Sequence, residues 1–163
     1  MLALPSGVVS ATVGEAKIHI AAGADTVYAM VSDITRMGEW SPENTGGEWL
    51  DGATGPTVGA RFKGKNKRKG GWSTKCTVTA ADPGREFAFD VGKGETRWRY
   101  RFEPAGDGTD VVESFEIVKE PGAIARYFTK VGTGLPWSER EADMVKGMQT
   151  TLANLKATAE AAN

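Results

Sequence analysis

Apolar and polar residues alternate strictly over residues 96–103, TRWRYRFE. Trp98, Tyr100 and Phe102 occupy every second position, and arginines fill the positions between them. A period of two residues is typical of a strand with one buried and one solvated face. This strand therefore needs something to cover a broad aromatic face. The covering could be an ordinary core or the wall of a ligand cavity.

The same alternation predicts strands on both sides of this segment. Residues 14–20 predict a first strand, with Lys17 and His19 on one face and Ile18 and Ile20 on the other. Further strands are predicted at residues 48–50, 60–66, 72–80, 86–91 and 111–118. Turns rich in Gly, Pro and Asp separate most of these strands. Short connections between consecutive strands predict an antiparallel meander.

A period of three to four residues predicts helices at two places. After the first strand, Val27, Val31 and Ile34 predict a short helix that continues or breaks into a second one over residues 33–40. Pro42 and the following glycines should end this helical pair.

The C-terminal segment carries the longest helical pattern. Its apolar stripe steps by four, four, three and four residues through Met144, Met148, Leu152, Leu155 and Ala159. Ser138 and Glu141 have the spacing of a capping box, which predicts a helix of about five or six turns beginning near Ser138. The preceding residues 119–136 are rich in Gly and Pro and predict a loop with one helical turn. That loop could be a mobile cover over a cavity or a simple connector.

These elements together predict one α+β domain. A twisted antiparallel sheet with one apolar face must be covered, and the long C-terminal helix is the large element available to cover it. Bulky aromatic side chains would hold this helix away from the sheet floor, so we expect a cavity between them. We expect residues 14–160 to form the domain and residues 1–13 to be a poorly ordered N-terminal extension.

Composition narrows the classes of function. The chain has 163 residues, 40% of them hydrophobic and 25% charged, which fits one globular domain. A net charge of −1 gives no general attraction to nucleic acid or to membranes. No apolar run approaches the roughly 20 residues needed to cross a bilayer. The N-terminus is mildly apolar, but no basic segment precedes it, so we do not interpret it as a signal peptide. We therefore expect the protein to be cytoplasmic.

The soft and nucleophilic side chains are few. The single cysteine, Cys76, excludes an intrachain disulfide, and His19 as the single histidine leaves too few ligands for a typical zinc site. We predict no metal and no cofactor, although composition leaves a carboxylate-rich site for a hard metal open. No Cys, Ser or acid pair lies near His19, which we interpret as a surface or strand-edge residue. Cys76 lacks a histidine partner and is interpreted as a buried small residue.

Several segments resemble the START-like superfamily, also called SRPBCC. They are similar to bacterial proteins labelled polyketide cyclase/dehydrase or SRPBCC family in ADTVYAMVSDITRMGEWSPE, GARFKGKNK, ADPGREFAFDV, TRWRYRFEPAGDGTDVVESFE and the terminal helix. The resemblance covers about residues 14–158. It implies the helix-grip (START/Bet v 1-like) fold, a curved antiparallel sheet wrapped around a long C-terminal helix, with two short helices after strand one. Members include carriers, sensors and cyclases, so the resemblance specifies a fold and leaves the reaction open.

Alternation places a mixed set of side chains on the concave side of such a sheet. Aromatic and methionine walls suit a flat or oily ligand, and polar groups among them each need a hydrogen-bond partner. Two helical segments would close the space. The candidate ligand-binding residues are Trp40, Phe62, Asn66, Trp72, Thr74, Phe87, Phe89, Trp98, Tyr100, Glu113, Phe115, Met144 and Met148.

Glu113 and Tyr100 are the candidate catalytic residues. In a cyclase, Glu113 could act as a base whose pKa is raised by desolvation, while Tyr100 hydrogen-bonds a carbonyl or enolate oxygen. Alternatively, Glu113 pairs with an arginine, or the strand register differs by one residue and Glu113 faces solvent. The structural role is the more common one for a carboxylate near arginine.

Residues 53–81 contain seven basic residues and no acidic one. Most of them should lie on the outer face, where they could meet anionic lipid, nucleic acid or an acidic partner. We favour the alternative of a solvated hairpin, because lysines commonly protect exposed strands from edge pairing. The seven are Arg61, Lys63, Lys65, Lys67, Arg68, Lys69 and Lys75.

Three hypotheses of function follow. The first is binding or transport of a small hydrophobic or aromatic ligand, lipid or polyketide-like, between the sheet and the C-terminal helix. The second is an aromatase/cyclase-type enzyme that uses acid/base chemistry on a polyketide-like substrate. The third is an interaction module that uses the basic hairpin 61–75. The absence of a His, Cys or Ser triad favours binding over catalysis. We expect no nucleic-acid partner, at most weak contact with an anionic membrane surface, and either a monomer or a homodimer.

Overall fold

Seven antiparallel strands form one curved sheet in the computed structural model, which describes residues 12–162. The strands are β1 Thr12–Ile20, β2 Asn44–Trp49, β3 Arg61–Lys67, β4 Gly71–Asp82, β5 Glu86–Val91, β6 Thr96–Ala105 and β7 Gly108–Ile117. Their spatial order is β1-β7-β6-β5-β4-β3-β2. Strands β2 to β7 are the predicted meander, and β1 joins it by pairing with β7.

Three α-helices and one 3-10 helix complete the described part of the chain. They are α1 Ala24–Ser32, the 3-10 helix Ile34–Glu39, α2 Ala123–Thr133 and α3 Trp137–Ala161. Helix α3 packs mainly along β1, and α1 packs against β5, β6 and β7. This confirms the predicted α+β helix-grip fold, with two short helices after the first strand and a long C-terminal helix. No helix within residues 12–162 is long and apolar enough to cross a bilayer.

Strand register puts the aromatic side chains on the concave face. Trp98 lies between Phe89 of β5 and Phe115 of β7, and Tyr100 lies opposite Glu113. The intervening arginines of β6 face outward, where they form ion pairs with carboxylates of β5 and β1. The alternation in residues 96–103 therefore separates a buried from a solvated face as predicted.

The apolar stripe of α3 supplies much of the core. Met148, Leu152, Leu155 and Ala159 are almost fully buried, whereas Met144 is half-buried. Leu152, Leu155 and Ala159 pack with residues of α1, the 3-10 helix and the sheet, and Met148 belongs to a smaller cluster with Phe115 and Ile117. Met144 and Met148 thus lie where the packed core gives way to open space.

Two strand boundaries differ from the predicted ones. Strand β1 begins at Thr12, two residues earlier than expected, while residues 1–11 of the predicted extension lie outside the described residues. Strand β2 begins at Asn44 and runs through the glycines that were expected only to end the helical pair. A side chain at Gly47 would crowd Ile34, so its absence lets β2 lie close to the 3-10 helix. Glycine here serves close packing.

Helix α3 begins without the predicted capping box. Pro136 occupies the N-cap position, and no side chain caps the helix. Ser138 therefore lies inside the first turn, where its hydroxyl is past the capping position. The helix still begins within one residue of the predicted start.

The segment predicted as a loop with one helical turn contains the 11-residue helix α2. Its glycines lie mainly at its ends. Gly122 is the N-cap, and Gly134 is a left-handed C-cap with φ 81° whose N–H donates to the carbonyl of Lys130. Glycine at this C-terminal position is a common helix stop signal. The glycines that suggested a loop therefore mark the limits of a helix.

His19 has acidic partners that its sequence neighbourhood does not show. Its Nδ1 lies 2.8 Å from Asp110 Oδ1, and its Nε2 lies 3.0 Å from Asp107 Oδ1. Both hydrogen bonds raise the pKa of this exposed imidazole. The antiparallel pairing of β1 with β7 sets Asp110 of β7 opposite the histidine and brings Asp107 of the β6–β7 turn close to it. The surface position of His19 was predicted correctly, but the interpretation that no acidic pair lies near it was wrong.

We expect Gly108→Ala to lower the free energy of unfolding by about 1–3 kcal/mol, the usual cost of overpacking. A Cβ atom at Gly108 would overlap the backbone carbonyl of Ile20, and backbone cannot move aside as a side chain can. Chemical denaturation would measure the change. Gly55→Ala is the matched control, because a Cβ atom there meets nothing within 4 Å. Equal stabilities for the two variants would contradict the close approach at Gly108.

Candidate functional site

Two cavities lie between the concave face of the sheet and the helices α2 and α3. The first has a volume of about 420 Å³ and the second about 350 Å³. Five residues line both cavities, which are therefore adjacent: Glu43, Asn44, Trp98, Arg140 and Met144.

The first cavity is largely apolar. Phe62 and Phe89 form part of its floor, with ring centroids 5.2 Å apart in an edge-to-face contact. Seven of the predicted ligand-binding residues line it, namely Phe62, Asn66, Trp72, Thr74, Phe89, Trp98 and Met144. Cys76 also borders it and is buried, and desolvation raises the pKa of its thiol to about 11. The interpretation of Cys76 as a buried small residue agrees with this position.

Helix α2 forms the cover of the first cavity. Ala125, Phe128 and Thr129 face it, and Gly132 rests on the ring of Trp72. The N–H of Gly70, in the β3–β4 turn, donates to the carbonyl of Gly132 at 2.9 Å. The helix is thus attached to the hairpin that carries much of the cavity floor. The position of α2 therefore agrees better with a cover over a cavity than with a simple connector.

The second cavity contains the buried carboxyl group of Glu113. This side chain is 3% exposed, and the hydroxyl of Tyr100 donates to its Oε1 at 2.7 Å. The other oxygen, Oε2, is buried without a hydrogen-bond partner among residues 12–162. Desolvation raises the pKa of Glu113 to about 8, and the Tyr100 hydrogen bond opposes part of that rise. Burial, with the neighbouring Glu113, also raises the pKa of Tyr100.

This geometry decides among the alternatives for Glu113. The register of β7 turns it toward the concave side, so it does not face solvent. None of the ion pairs within the described chain joins it to an arginine. Arg140 lines the same cavity, but its guanidinium is bound to Glu43 and Asp143.

An ion-pair network not found from the sequence closes one side of both cavities. Arg140 donates to Glu43 at 2.7 Å and to Asp143 at 2.6 Å. Arg68 of the β3–β4 turn donates to the same aspartate at 2.7 Å. Glu43 Oε1 is buried and makes no hydrogen bond among the described residues. Arg140 lies one helical turn before Met144, so extending the α3 stripe by four residues would have found it.

The remaining predicted residues divide between the second cavity and the core. Tyr100, Glu113 and Met148 line the second cavity together with Trp98 and Met144. Trp40, Phe87 and Phe115 are buried in the packed core and line neither cavity.

Packing accounts for two of these core positions. The ring of Phe115 occupies the space beside Gly14, where a Cβ atom would meet it. The ring of Trp40 lies 5.3 Å from the Arg36 guanidinium, and its backbone carbonyl accepts a hydrogen bond from Asn154. Both aromatic residues are thus held in packed contacts and border neither of the two cavities.

Trp98 and Met144 stand where the sheet approaches α3. Both side chains pack against the cluster of Phe115, Ile117 and Met148, and both line the two cavities. They form part of the wall between a mostly apolar chamber and a chamber that holds buried carboxyl groups. No group of three or more His, Cys, Asp or Glu side chains suitable for a metal ion occurs in the described part of the chain.

Solved structures with this fold include a polyketide-cyclase-like protein and an AHSA1-like protein. A polyketide-cyclase-like protein of Corynebacterium glutamicum is 33% identical, with 91% of each chain covered and a TM-score of 0.61. An AHSA1-like protein of Aeromonas hydrophila is 21% identical, with 93% of this chain and 94% of that chain covered and a TM-score of 0.63. The second similarity concerns the fold alone.

A di-domain ARO/CYC protein, StfQ of the steffimycin biosynthetic pathway, shares the fold at 15% identity. The match covers 92% of this chain and 51% of StfQ, with a TM-score of 0.69. The comparison with curated proteins gave no significant match. The family described as polyketide cyclase / dehydrase and lipid transport matches residues 11–160. With nearly the whole sequence matched and the helix-grip architecture present, the chain belongs to the polyketide cyclase / dehydrase and lipid transport family.

Proposed function

We propose that the chain binds a small, largely apolar ligand in the first cavity, with the polar end of the ligand directed into the second. The observation that carries this proposal is the aromatic lining of a cavity of about 420 Å³ under α2. Ligand pockets commonly have volumes of about 300–1,000 Å³ and apolar walls with a few polar groups.

The walls favour a flat or chain-like molecule. Trp72 and Trp98 offer broad apolar surfaces, and Met144 can adapt its shape to irregular ligands. Gly64 on the cavity floor has no side chain, and a Cβ atom there would crowd the side chains of Asn44 and Thr74. A planar polyketide-like ring system or a lipid chain would meet these surfaces with little loss of side-chain freedom.

Two buried carboxyl oxygens favour a ligand with polar groups at one end. Glu43 Oε1 and Glu113 Oε2 border the second cavity and lack hydrogen-bond partners among residues 12–162, although the Arg68 guanidinium lies 3.9 Å from the Glu43 oxygen. A buried oxygen left unpaired costs about 1–3 kcal/mol, which a ligand hydroxyl would recover. Because the pKa of Glu113 is about 8, its carboxyl group is mostly protonated at neutral pH and can itself donate to a ligand carbonyl.

Acid/base catalysis on a carbonyl substrate is the second candidate, and the raised pKa of Glu113 favours it. A carboxyl group that titrates near neutral pH can both give and take a proton. The carboxylate would remove the proton next to a carbonyl, and the resulting carbon nucleophile would attack a second carbonyl to close a ring. The Glu113 proton would then pass to the new alkoxide oxygen, with Tyr100 supporting the carboxyl group through its hydroxyl.

For ligand binding, we expect Thr74→Phe to weaken uptake of the apolar dye Nile red at least about tenfold, because a phenyl ring would fill the first cavity. Fluorescence titration would measure the affinity. Ser73→Phe is the matched control, since Ser73 is the preceding residue of β4 and is exposed on the outer face. If Ser73→Phe weakens binding as much as Thr74→Phe, or if the parent protein binds no dye, the cavity is not the binding site.

For the titration of Glu113, we expect Glu113→Gln to gain stability relative to the parent protein as pH rises from 4.5 to 8. The pKa of Glu113 is raised from 4.5 to about 8 on folding, so the folded state holds this proton more tightly than the unfolded chain. That contribution is fully present below pH 4.5 and is lost as pH rises toward 8, at about 1 kcal/mol for each pH unit. Chemical denaturation of both proteins across this range would measure the difference. A difference that does not vary with pH would show that the Glu113 pKa is ordinary.

For the catalytic candidate, we expect Glu113→Gln to abolish cyclisation of a synthetic poly-β-ketone thioester, because the amide cannot exchange the proton. Tyr100→Phe should slow the reaction about tenfold to a hundredfold, since it removes a supporting hydrogen bond. Liquid chromatography with mass spectrometry would follow the cyclised product, which is an isomer of the substrate, and Nile red uptake would verify that each variant retains its cavity. Undiminished turnover by Glu113→Gln would remove this residue from the reaction, and inactivity of the parent protein would favour binding alone.

A further inference from the structure

Helix α2 exposes a continuous apolar face to solvent. Ile124, Tyr127, Phe128 and Val131 are 77%, 63%, 65% and 54% exposed. Their spacing of three, one and three residues puts them on one side of the helix. They account for four of the seven large apolar side chains exposed in the described chain. Four exposed apolar residues on one short helix are too concentrated to be ordinary surface residues.

This face differs from the side of α2 that covers the first cavity. At about 100° per residue, Ala125, Thr129 and Gly132 point toward the cavity, and the exposed stripe lies beside them. Phe128 stands at the boundary, since it both lines the cavity and remains exposed. Packing of the domain therefore does not explain Ile124, Tyr127 or Val131.

Basic side chains surround the exposed stripe. Arg126 and Lys130 lie on the third side of α2, next to Tyr127. Lys69 of the β3–β4 turn lies against Gly134 at the C-terminal end of the helix, and Lys119 precedes the N-terminal end. We call the four exposed apolar residues and these basic residues the α2 surface.

Most charges of the α2 surface are not neutralised within the protein. Arg126 has Glu120 at 3.6 Å. None of the ion pairs among residues 12–162 involves Lys69, Lys119 or Lys130. By contrast, Lys63 and Lys65 on the outer face of β3 both have Glu48 within 4 Å. Lys67 and Lys75 of the hairpin likewise form none of these ion pairs, but they lie on β3 and β4, whereas Lys69, Lys119 and Lys130 lie next to the exposed apolar stripe.

We propose that the α2 surface docks the protein on an anionic lipid membrane. An amphipathic helix lies in the membrane interface with its apolar side chains below the headgroups and its basic side chains at their level. The exposed stripe supplies the apolar side chains, and the surrounding lysines supply the basic ones. Lys69, Lys119 and Lys130 each contribute about a fivefold gain in partitioning, which corresponds to about 1 kcal/mol per charge.

A second copy of the chain fits this surface less well. A symmetric contact between two α2 surfaces would bring their unpaired lysines near one another, because the same patch meets itself. The stripe also offers four apolar side chains, whereas stable interfaces use about 20–30 residues on each partner. An anionic lipid surface complements the charge and needs no large area of fixed shape.

Docking through α2 would place the cover of the first cavity at the membrane. The residues that face lipid and those that face the cavity lie on adjacent sides of the same helix. An apolar ligand could then exchange between the bilayer and the cavity without crossing water. This consequence rests on the proposed ligand-binding function, whereas the docking itself does not.

Sedimentation with lipid vesicles tests the docking. We expect the full chain to sediment with vesicles of equal parts phosphatidylcholine and phosphatidylglycerol, and not with phosphatidylcholine alone. Ile124→Glu should reduce partitioning at least about tenfold, because it puts a charge in the apolar stripe. Lys69→Ala and Lys130→Ala should each reduce it about fivefold, and added salt should weaken it further.

Two matched controls separate the α2 surface from general effects. Val58→Glu makes a similar change at a residue that is 64% exposed, in the loop at the other end of β3. Lys75→Ala removes a basic residue of the same stretch from the outer face of β4. Both should partition within about twofold of the parent protein, far less than the change expected for loss of a docking residue.

Three outcomes would overturn the proposal. They are no sedimentation of the parent protein, equal losses for Val58→Glu and Ile124→Glu, and a concentration-dependent dimer in sedimentation velocity that Ile124→Glu dissolves. Nile red uptake in solution keeps the two proposals apart. Vesicle binding without dye uptake would refute ligand binding in the cavity but not the membrane docking. Dye uptake without vesicle binding would refute the membrane docking but not ligand binding in the cavity.

Discussion

The register of β6 against β7 is the constraint on which the rest of the structure depends. It sets Tyr100 opposite Glu113 and Trp98 opposite Phe115, so that one face of the sheet meets α3. A shift of one residue would turn the arginines of β6 inward and the aromatic residues outward. The register also buries a carboxyl group, which the fold accommodates by retaining its proton and supplying the Tyr100 hydroxyl.

The open space under α2 follows from how that helix is attached. Gly132 has no side chain to hold the helix away from Trp72, and the backbone of Gly70 binds it directly. The helix therefore covers the first cavity without contributing large side chains to the core. The apolar side chains of α2 are therefore left exposed to solvent or available to a partner. The cavity and the exposed stripe both result from the way in which α2 is attached to the β3–β4 turn.

Much of the fold could be predicted from local patterns. Period-two alternation located the strands and their inward faces, and the stripe from Met144 to Ala159 located α3. The full length of helix α2 was not predicted, because glycines that act as helix caps were interpreted as loop formers. The site was predictable in part: alternation and the α3 stripe found seven of the residues that line the first cavity, but the network of Arg140 joins residues distant in the sequence. Periodicity carries no information about which distant charges meet.

By itself, the sequence determined which side chains of each strand face inward, because alternation in an extended chain is a local property. It also determined the α+β class and the apolar stripe of the long helix. Tertiary structure decided that the concave space forms two chambers, that Glu113 pairs with a tyrosine rather than an arginine, and that His19 meets two aspartates. These outcomes depend on strand register and on the seating of α2 and α3. Both arise from contacts between residues far apart in the chain, which no local pattern specifies.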